Sequence, residues 1–433
     1  MNFQVRNFQK FIIFLAIFTG IFGLIFIKIS QAANYYVDNS GSPVCNNSSS
    51  YGTESNPWCT IQYGISIISG GDNLIVKNGT YNESFTITGP SGNSAKSTEI
   101  KAYSGHTPKL LGNGINTGRM KFSGVSYMNL SGFEITNYNQ GIWIENSDHM
   151  IIENSSVHHV GQDAVSIHNN SSYITIQNNL IHDTRQWQYN GEGIYIGTGS
   201  GGLQDNTNNI LVKNNTIYNI VDEAIELKPG THDITVDGNL IYNTPDIGAT
   251  VGAIEVNQSN HTDGKGWDSN PNHIIKNNII HTGYTAIRAG TGSTIYNNLI
   301  YNINANHYGI YVDNLWAGDS GYARKIYHNT IDMPNSKAVY ISAGTTDVKN
   351  NIGLSIINNI ATSDSYYINK ANGNYHLVTG AAPIDAGLNL TATVPTDIEG
   401  NSRSASSFPD LGAYEYVSGD TTPPAAPTGL SVV

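Results

Sequence analysis

Charge is what this 433-residue chain has least of. Lys and Arg number 21 and Asp and Glu 33, so charged residues are 12% of the total and the formal net charge is −12. A typical soluble domain carries roughly 25%. Long surface helices and coiled coils draw on Glu, Lys and Arg, and so thin a supply excludes them. The acidic balance also argues against a nucleic-acid binder. Cysteine is nearly absent, with only Cys45 and Cys59, 14 positions apart. No compact Cys/His spacing accompanies them, which counts against a zinc site. In an exported chain the pair could close a local loop as a disulfide, and two free thiols are the alternative. Polarity comes instead from Asn, Ser, Thr, Gly and Tyr, with 45 Gly and 26 Tyr. A hydrophobic fraction of 39% argues against wholesale disorder.

Long hydrophobic runs are also scarce. The one present, Phe11 to Ile27, follows Arg6 and Lys10 and precedes Ser30-Gln31-Ala32-Ala33. This order resembles a secretory signal peptide with a small-residue cleavage site, and an uncleaved membrane anchor is the alternative. Either places the bulk outside the cytoplasm, secreted or at the cell surface. The other end turns Pro-rich after Tyr416, through Thr421-Thr422-Pro423-Pro424-Ala425-Ala426-Pro427. That composition is a stiff linker. Pro427-Thr428-Gly429-Leu430-Ser431-Val432 resembles the opening of a fibronectin type III module. The expected organisation is therefore residues 1–33 as leader or anchor, 34–416 as one large domain and 417–433 as linker.

A repeat fills the middle. A small residue, a branched apolar residue, any residue and a mostly apolar residue recur from Gly141, Ala164, Gly193, Ala224, Ala253, Ala286, Gly309 and Ala338. The steps are 23, 29, 31, 29, 33, 23 and 29 residues. From the second copy onward a second strand follows with an Asn near its middle: Asn179, Asn215, Asn239, Asn278, Asn298, Asn329 and Asn359. Short strands at such a period mean a solenoid. Leucine-rich repeats lack their fixed Leu spacing here, and a propeller blade needs about 40 residues. The fold class is all-β, a single-stranded parallel β-helix, with equivalent residues stacked at roughly 4.8 Å. The Asn column then reads as an internal hydrogen-bonded ladder at a left-handed corner, a structural role.

The repeats resemble the right-handed parallel β-helix proteins of the pectin-lyase-like group, over roughly Tyr35 to Tyr416. Tyr35-Tyr36-Val37-Asp38, Asn56-Pro57-Trp58 and Gly70-Gly71-Asp72 resemble the N-terminal cap of bacterial members. Asp397 to Arg403 and Asp410 to Glu415 resemble their terminal segment. The scaffold carries lyases, hydrolases, epimerases and plain binding surfaces, so it does not name an activity.

Residues in register across the rungs point to chemistry. Just before the small residue stand Asp163, Glu192 and Glu223 in succession. Like charges at about 5 Å repel, so they favour a bound cation, with Ca²⁺ the ion suited to oxygen ligands, or a raised pKa. An acidic solvated face is the plainer alternative. Two positions after the small residue the column runs Trp143, Ser166, Tyr195, Glu226, Glu255, Arg288, Tyr311 and Tyr340. Alternation turns it outward, towards a ligand. His168 and Lys228 lie two residues further along. Tyr195, His168 and Tyr311, with Trp187 and Trp267 from long excursions, are the expected contacts to a polysaccharide lying along the axis. Ordinary packing is the alternative for each.

Glu223-Ala224-Ile225-Glu226-Leu227-Lys228 resembles the catalytic rung of the alginate-lyase and chondroitinase-B-like family, in which a calcium-binding Glu precedes a Lys base by five positions. The resemblance implies a Ca²⁺-dependent lyase of uronic-acid polysaccharides, with Lys228 as base and Arg288 on the substrate or leaving oxygen. Val221 stands where the family has a second acid, and Glu255-Val256-Asn257-Gln258 where it has an Arg-containing motif. Two further classes share these features. Glu226 and Glu255 on adjacent rungs would suit a glycoside hydrolase, and a non-catalytic glycan-binding or adhesive protein needs only the aromatics. A monomer is expected.

Overall fold

The computed structural model describes residues 31–184, 191–198, 205–248, 250–257, 271–312, 322–342, 344–355, 357–403 and 408–419. The apolar run at Phe11–Ile27, Trp187, Trp267 and the Pro-rich stretch lie outside these residues. No helix among the described residues is long and apolar enough to cross a membrane.

Three parallel sheets of 12, 10 and 10 strands run the length of a right-handed β-helix. One coil is representative. Ile142–Glu145 lies in the first of the ten-stranded sheets. Asp148–Glu153 then joins the 12-stranded sheet and Ser156–His158 the other ten-stranded one. The chain returns to the first sheet at Val165–His168, paired with Ile142–Glu145 in exact sequence phase. Every strand of these three sheets thus pairs with its counterpart one coil away, and the sequence period becomes the register.

Inward positions carry Ile, Val or Leu with almost no exposure, as in Ile142, Val165, Ile194, Ile225, Ile254 and Ile287. β-Branched side chains suit a pleated, packed surface, which explains their density here. The small residue ahead of each strand has a steric cause. A Cβ built on Gly141 or Gly193 would lie 2.5 Å from the carbonyl oxygen of Ala164 or Ala224 on the next rung.

The Asn ladder is continuous. Asn215 Oδ1 accepts from the backbone N–H and Nδ2 of Asn179, each at 3.0 Å. Asn215 Nδ2 donates to Ile176 O at 2.9 Å and its own backbone N–H to Asn239 Oδ1 at 3.0 Å. The same bonds recur through Asn278, Asn298, Asn329, Asn351 and Asn359. Two details differ from the sequence reading. Asn351 belongs to the ladder. The left-handed corner falls on the residue before each ladder Asn, such as Asn178, Asn214 and Asn277 with φ of 54°, 54° and 56°. The ladder residue itself is therefore free to point inward.

Both ends are covered. Helix Ile61–Ile67 packs on strand Asn34–Val37. Its first N–H groups, on Ile61 and Gln62, donate to the Glu83 carboxylate at 2.9 and 2.8 Å. Cys45 and Cys59 are joined in a disulfide. At the other end a second apolar cluster forms around Tyr367, Tyr375, Leu411 and Tyr414. Buried Arg403 ties it down, pairing with Glu415 and donating to Asn297 Oδ1 at 3.0 Å and Gly412 O at 2.8 Å.

Candidate active site

The outward column of the site-bearing sheet is in register without a break. Trp143 pairs with Ser166, Ser166 with Tyr195, Tyr195 with Glu226, Glu226 with Glu255, Glu255 with Arg288 and Arg288 with Tyr311. The acids before the small residues are also level: Gly141, Ala164 and Gly193 donate backbone N–H to the carbonyls of Asp163, Glu192 and Glu223 at 3.1, 3.1 and 3.0 Å. Parallel stacking therefore delivers two acidic columns to one side of one sheet.

Their side chains converge. Carboxylate oxygens of Glu192, Glu223 and Glu226 all lie within 4.8 Å of one another, and all three residues are buried. The trio expected from the column was Asp163, Glu192 and Glu223, and Glu226 takes the third place. Asp163 stands just outside, where its Oδ2 accepts from Ser166 Oγ at 2.9 Å and Gln140 Nε2 at 3.3 Å. Column membership alone could not show this, because Glu226 reaches back from the neighbouring column.

Burial is the main force on these groups. It raises the Glu192 carboxyl, helped by the charge of Asp163. Burial, then Glu226, Asp222 and Glu255, push Glu223 far above the carboxylate range. Glu226 is also raised by burial, although Lys228 opposes the shift. Lys228 and Glu226 form an ion pair, and Asn257 Nδ2 donates to the same Glu226 oxygen at 3.1 Å. On Lys228 burial acts downward, but Glu226, Glu223 and Glu192 outweigh it and its pKa rises. One rung on, Arg288 NH1 donates to Glu255 Oε1 at 2.6 Å, and Gly252 N–H to Glu255 Oε2 at 3.2 Å.

The fit to a cation can be judged from these atoms. Glu226 Oε2 is buried without a hydrogen-bond partner. It belongs to a three-carboxylate cluster of hard oxygen donors, the ligand type that Ca²⁺ takes. A buried carboxylate oxygen without a partner is costly even where its twin is paired, and a divalent ion in the cluster would remove that cost. The donors present fit such an ion.

The aromatic residues behave differently from the expectation of open sugar platforms. Tyr195 and Tyr311 are each only 7% exposed. Residues in one column are about 4.8 Å apart, so each ring is covered by its neighbours. Tyr195 lies between His168, at 5.3 Å between ring centroids, and the Lys228 ammonium, at 4.9 Å. Tyr311 stacks on Tyr340 at 5.6 Å. Tyr340, 41% exposed, is the ring within reach at that end. His168 is sandwiched against Trp143 at 4.1 Å, and burial draws its pKa down to about 4, so it is a neutral imidazole at pH 7. The long excursions that carry Trp187 and Trp267 fall outside the described residues.

Comparison with known proteins adds the following. The family described as "Pel9A-like, right handed beta helix region" matches residues 35–314. No curated protein matches the sequence. Among solved structures, an alginate lyase from Paenibacillus sp. str. FPU-7 is 20% identical with a TM-score of 0.53, over 70% of this chain and 96% of that one. Pectate lyase Pel9A is 17% identical with a TM-score of 0.61, over 89% and 98%. A rhamnogalacturonan lyase is 15% identical with a TM-score of 0.61, over 78% and 91%. At these identities the likeness is one of fold.

Proposed function

Since the chain belongs to the family of Pel9A-like right-handed β-helix proteins, we propose that it is an exported carbohydrate-active enzyme, a Ca²⁺-dependent lyase that cleaves a uronic-acid-containing polysaccharide by β-elimination. The observation that carries this reading is the buried cluster of Glu192, Glu223 and Glu226 with Lys228 on one of its carboxylates. Lyases acting on pectate, alginate and rhamnogalacturonan are among the structures that share the fold.

β-Elimination needs a base for the proton α to the uronate carboxylate and positive charge against the enediolate that forms. Lys228 Nζ takes that proton. The electron pair becomes the double bond between the α and β carbons, the β carbon–oxygen bond breaks, and the leaving oxygen takes up a proton. A divalent cation held by Glu192, Glu223 and Glu226 would supply charge to the substrate carboxylate and draw off the negative charge that keeps Lys228 protonated. The Tyr195 ring lies against the ammonium, and Asn257 holds the Glu226 carboxylate that pairs with it. Arg288, fixed by Glu255, stands two rungs along to bind a substrate anion or assist the leaving oxygen. A hydrolase would use Glu226 and Glu255 as acid and nucleophile or base. Both are paired with cations, Glu226 with Lys228 and Glu255 with Arg288.

The test is an ultraviolet assay for unsaturated product on polygalacturonate, alginate and rhamnogalacturonan with calcium present. Turnover of at least one is expected, and Lys228→Ala should lower kcat on the order of 10²–10⁴-fold. Absence of unsaturated product from all three, or full activity in Lys228→Ala, overturns the reading.

A further inference from the structure

Arg119 breaks the small-residue column. Strand Met120–Ser123 pairs Met120 with Ile142, so Arg119 stands level with Gly141. The eight copies from Gly141 to Ala338 hold Gly or Ala at this position. The arginine is also well anchored. Its backbone N–H donates to Ser84 Oγ and its carbonyl accepts from the same hydroxyl, both at 3.2 Å.

The guanidinium lies over Trp143, 4.4 Å from the ring centroid. Trp143 is itself fixed, since Nε1 donates to Glu145 Oε2 at 2.9 Å. Glu145 Oε1 takes Lys121 Nζ at 2.7 Å and Ser123 Oγ at 2.8 Å. Glu145 is therefore occupied, and the other acid whose charge reaches Arg119, Asp163, has its Oδ2 held by Ser166 Oγ and Gln140 Nε2. Among the described residues no carboxylate pairs with the Arg119 guanidinium, which is half-buried. A planar, partly desolvated guanidinium on an aromatic shelf, with no carboxylate partner among the described residues, is suited to a carboxylate. A second observation lies on the far side of the indole. His168 stacks there, and its buried Nε2 has no hydrogen-bond partner. The aromatic row continues through Tyr195 to Lys228. Arg119 and Lys228 thus cap one row, four rungs or about 19 Å apart.

We propose that Arg119, on its Trp143 shelf, binds a carboxylate of the polyuronate several sugars from the bond that is cleaved, with His168 Nε2 on a hydroxyl beside it. Arg119 thereby selects an acidic chain over a neutral or esterified one. The placement of the cleaved bond rests on the lyase reading, whereas the anion contact can be measured by binding alone. Calorimetry on the full chain would compare wild type, Arg119→Gln and Arg119→Lys, with polygalacturonate, alginate and methyl-esterified pectin as probes. The Gln variant should bind the acidic polymers on the order of 10-fold more weakly and the esterified one as wild type does. The Lys variant, which keeps charge but loses the fork, should fall between. Where the polymer is turned over, the Gln change should fall on KM rather than kcat. Wild-type affinity for the acidic polymers in both variants, or an equal loss for the esterified polymer, overturns the proposal. Binding without turnover in the wild-type protein would refute the lyase reading and leave the Arg119 contact to stand on the affinities.

Discussion

Glu226 Oε2 is a buried carboxylate oxygen with no partner, inside a ring of other carboxylates. Its consequence can be measured without any substrate. Calcium should raise the melting temperature of the wild-type protein by a few degrees, because binding to the folded state alone stabilises by about 2.7 kcal/mol at 100 times the dissociation constant. Glu223→Gln should cancel most of that rise, while its calcium-free form melts no lower than wild type, because burial already holds the Glu223 carboxyl neutral and the amide is its neutral isostere. A circular-dichroism melt with calcium and with chelator reads both. A wild-type melting point indifferent to calcium would contradict the site. Much of this cluster was legible in the sequence, since phase in the repeat is register in the solenoid. Glu226 was placed in the outward column but not at the metal position, because a column states where a residue stands and not how far its side chain leans. Arg119 was missed for a different reason. It replaces the small residue by which the repeat is recognised, so its rung did not look like a copy. A break in an otherwise regular pattern was the available signal.

At the level of elements, the Asn ladder does for the interior what the sheets do for the walls. Each ladder Asn satisfies a backbone N–H and an amide from one neighbouring rung, and its own amide reaches a backbone carbonyl. Replacing Asn239 by Ala would leave the buried N–H and Nδ2 of Asn215 and the carbonyl of Val212 without this partner. At about 1–3 kcal/mol for each orphaned group, partly relieved by relaxation, the loss should be on the order of 3 kcal/mol. Urea unfolding of Asn239→Ala against wild type checks it, and a change under ~1 kcal/mol would show that the ladder is ornamental. The strands and the ladder were readable because β-branched alternation and a recurring Asn are local signals. The exact corner was not, because adjacent Asn residues such as Asn214-Asn215 satisfy either assignment equally well until φ is known.

For the whole molecule, scarcity of charge concentrates pH sensitivity in a few buried groups. His273 is fully buried, and burial draws its pKa down to about 3 from an ordinary 6.5. The unfolded chain therefore binds a proton below about 6.5 that the folded protein refuses. Stability from this group is complete above that pH and is lost on acidification, at up to ~1.4 kcal/mol per pH unit. Buried carboxylates with raised pKa values, such as Glu255, act in the opposite sense, so the clean observable is a difference. His273→Leu should gain on wild type by roughly 2 kcal/mol between pH 7.5 and pH 5 in urea titrations. An unchanged difference would mean that His273 is protonated in the fold. The stacked rungs share one core that grows along the axis.

The in-register columns also make the molecule a ruler. Every rung-to-rung step along this face, from Arg119 to Lys228 to Arg288, is a whole number of strand spacings. Insertion or deletion of one coil would move a charged group by about 4.8 Å at a stroke and leave the packing of every other coil intact. On the reading of a polysaccharide lying along this face, coil number would set the spacing of its contacts in steps of one strand spacing.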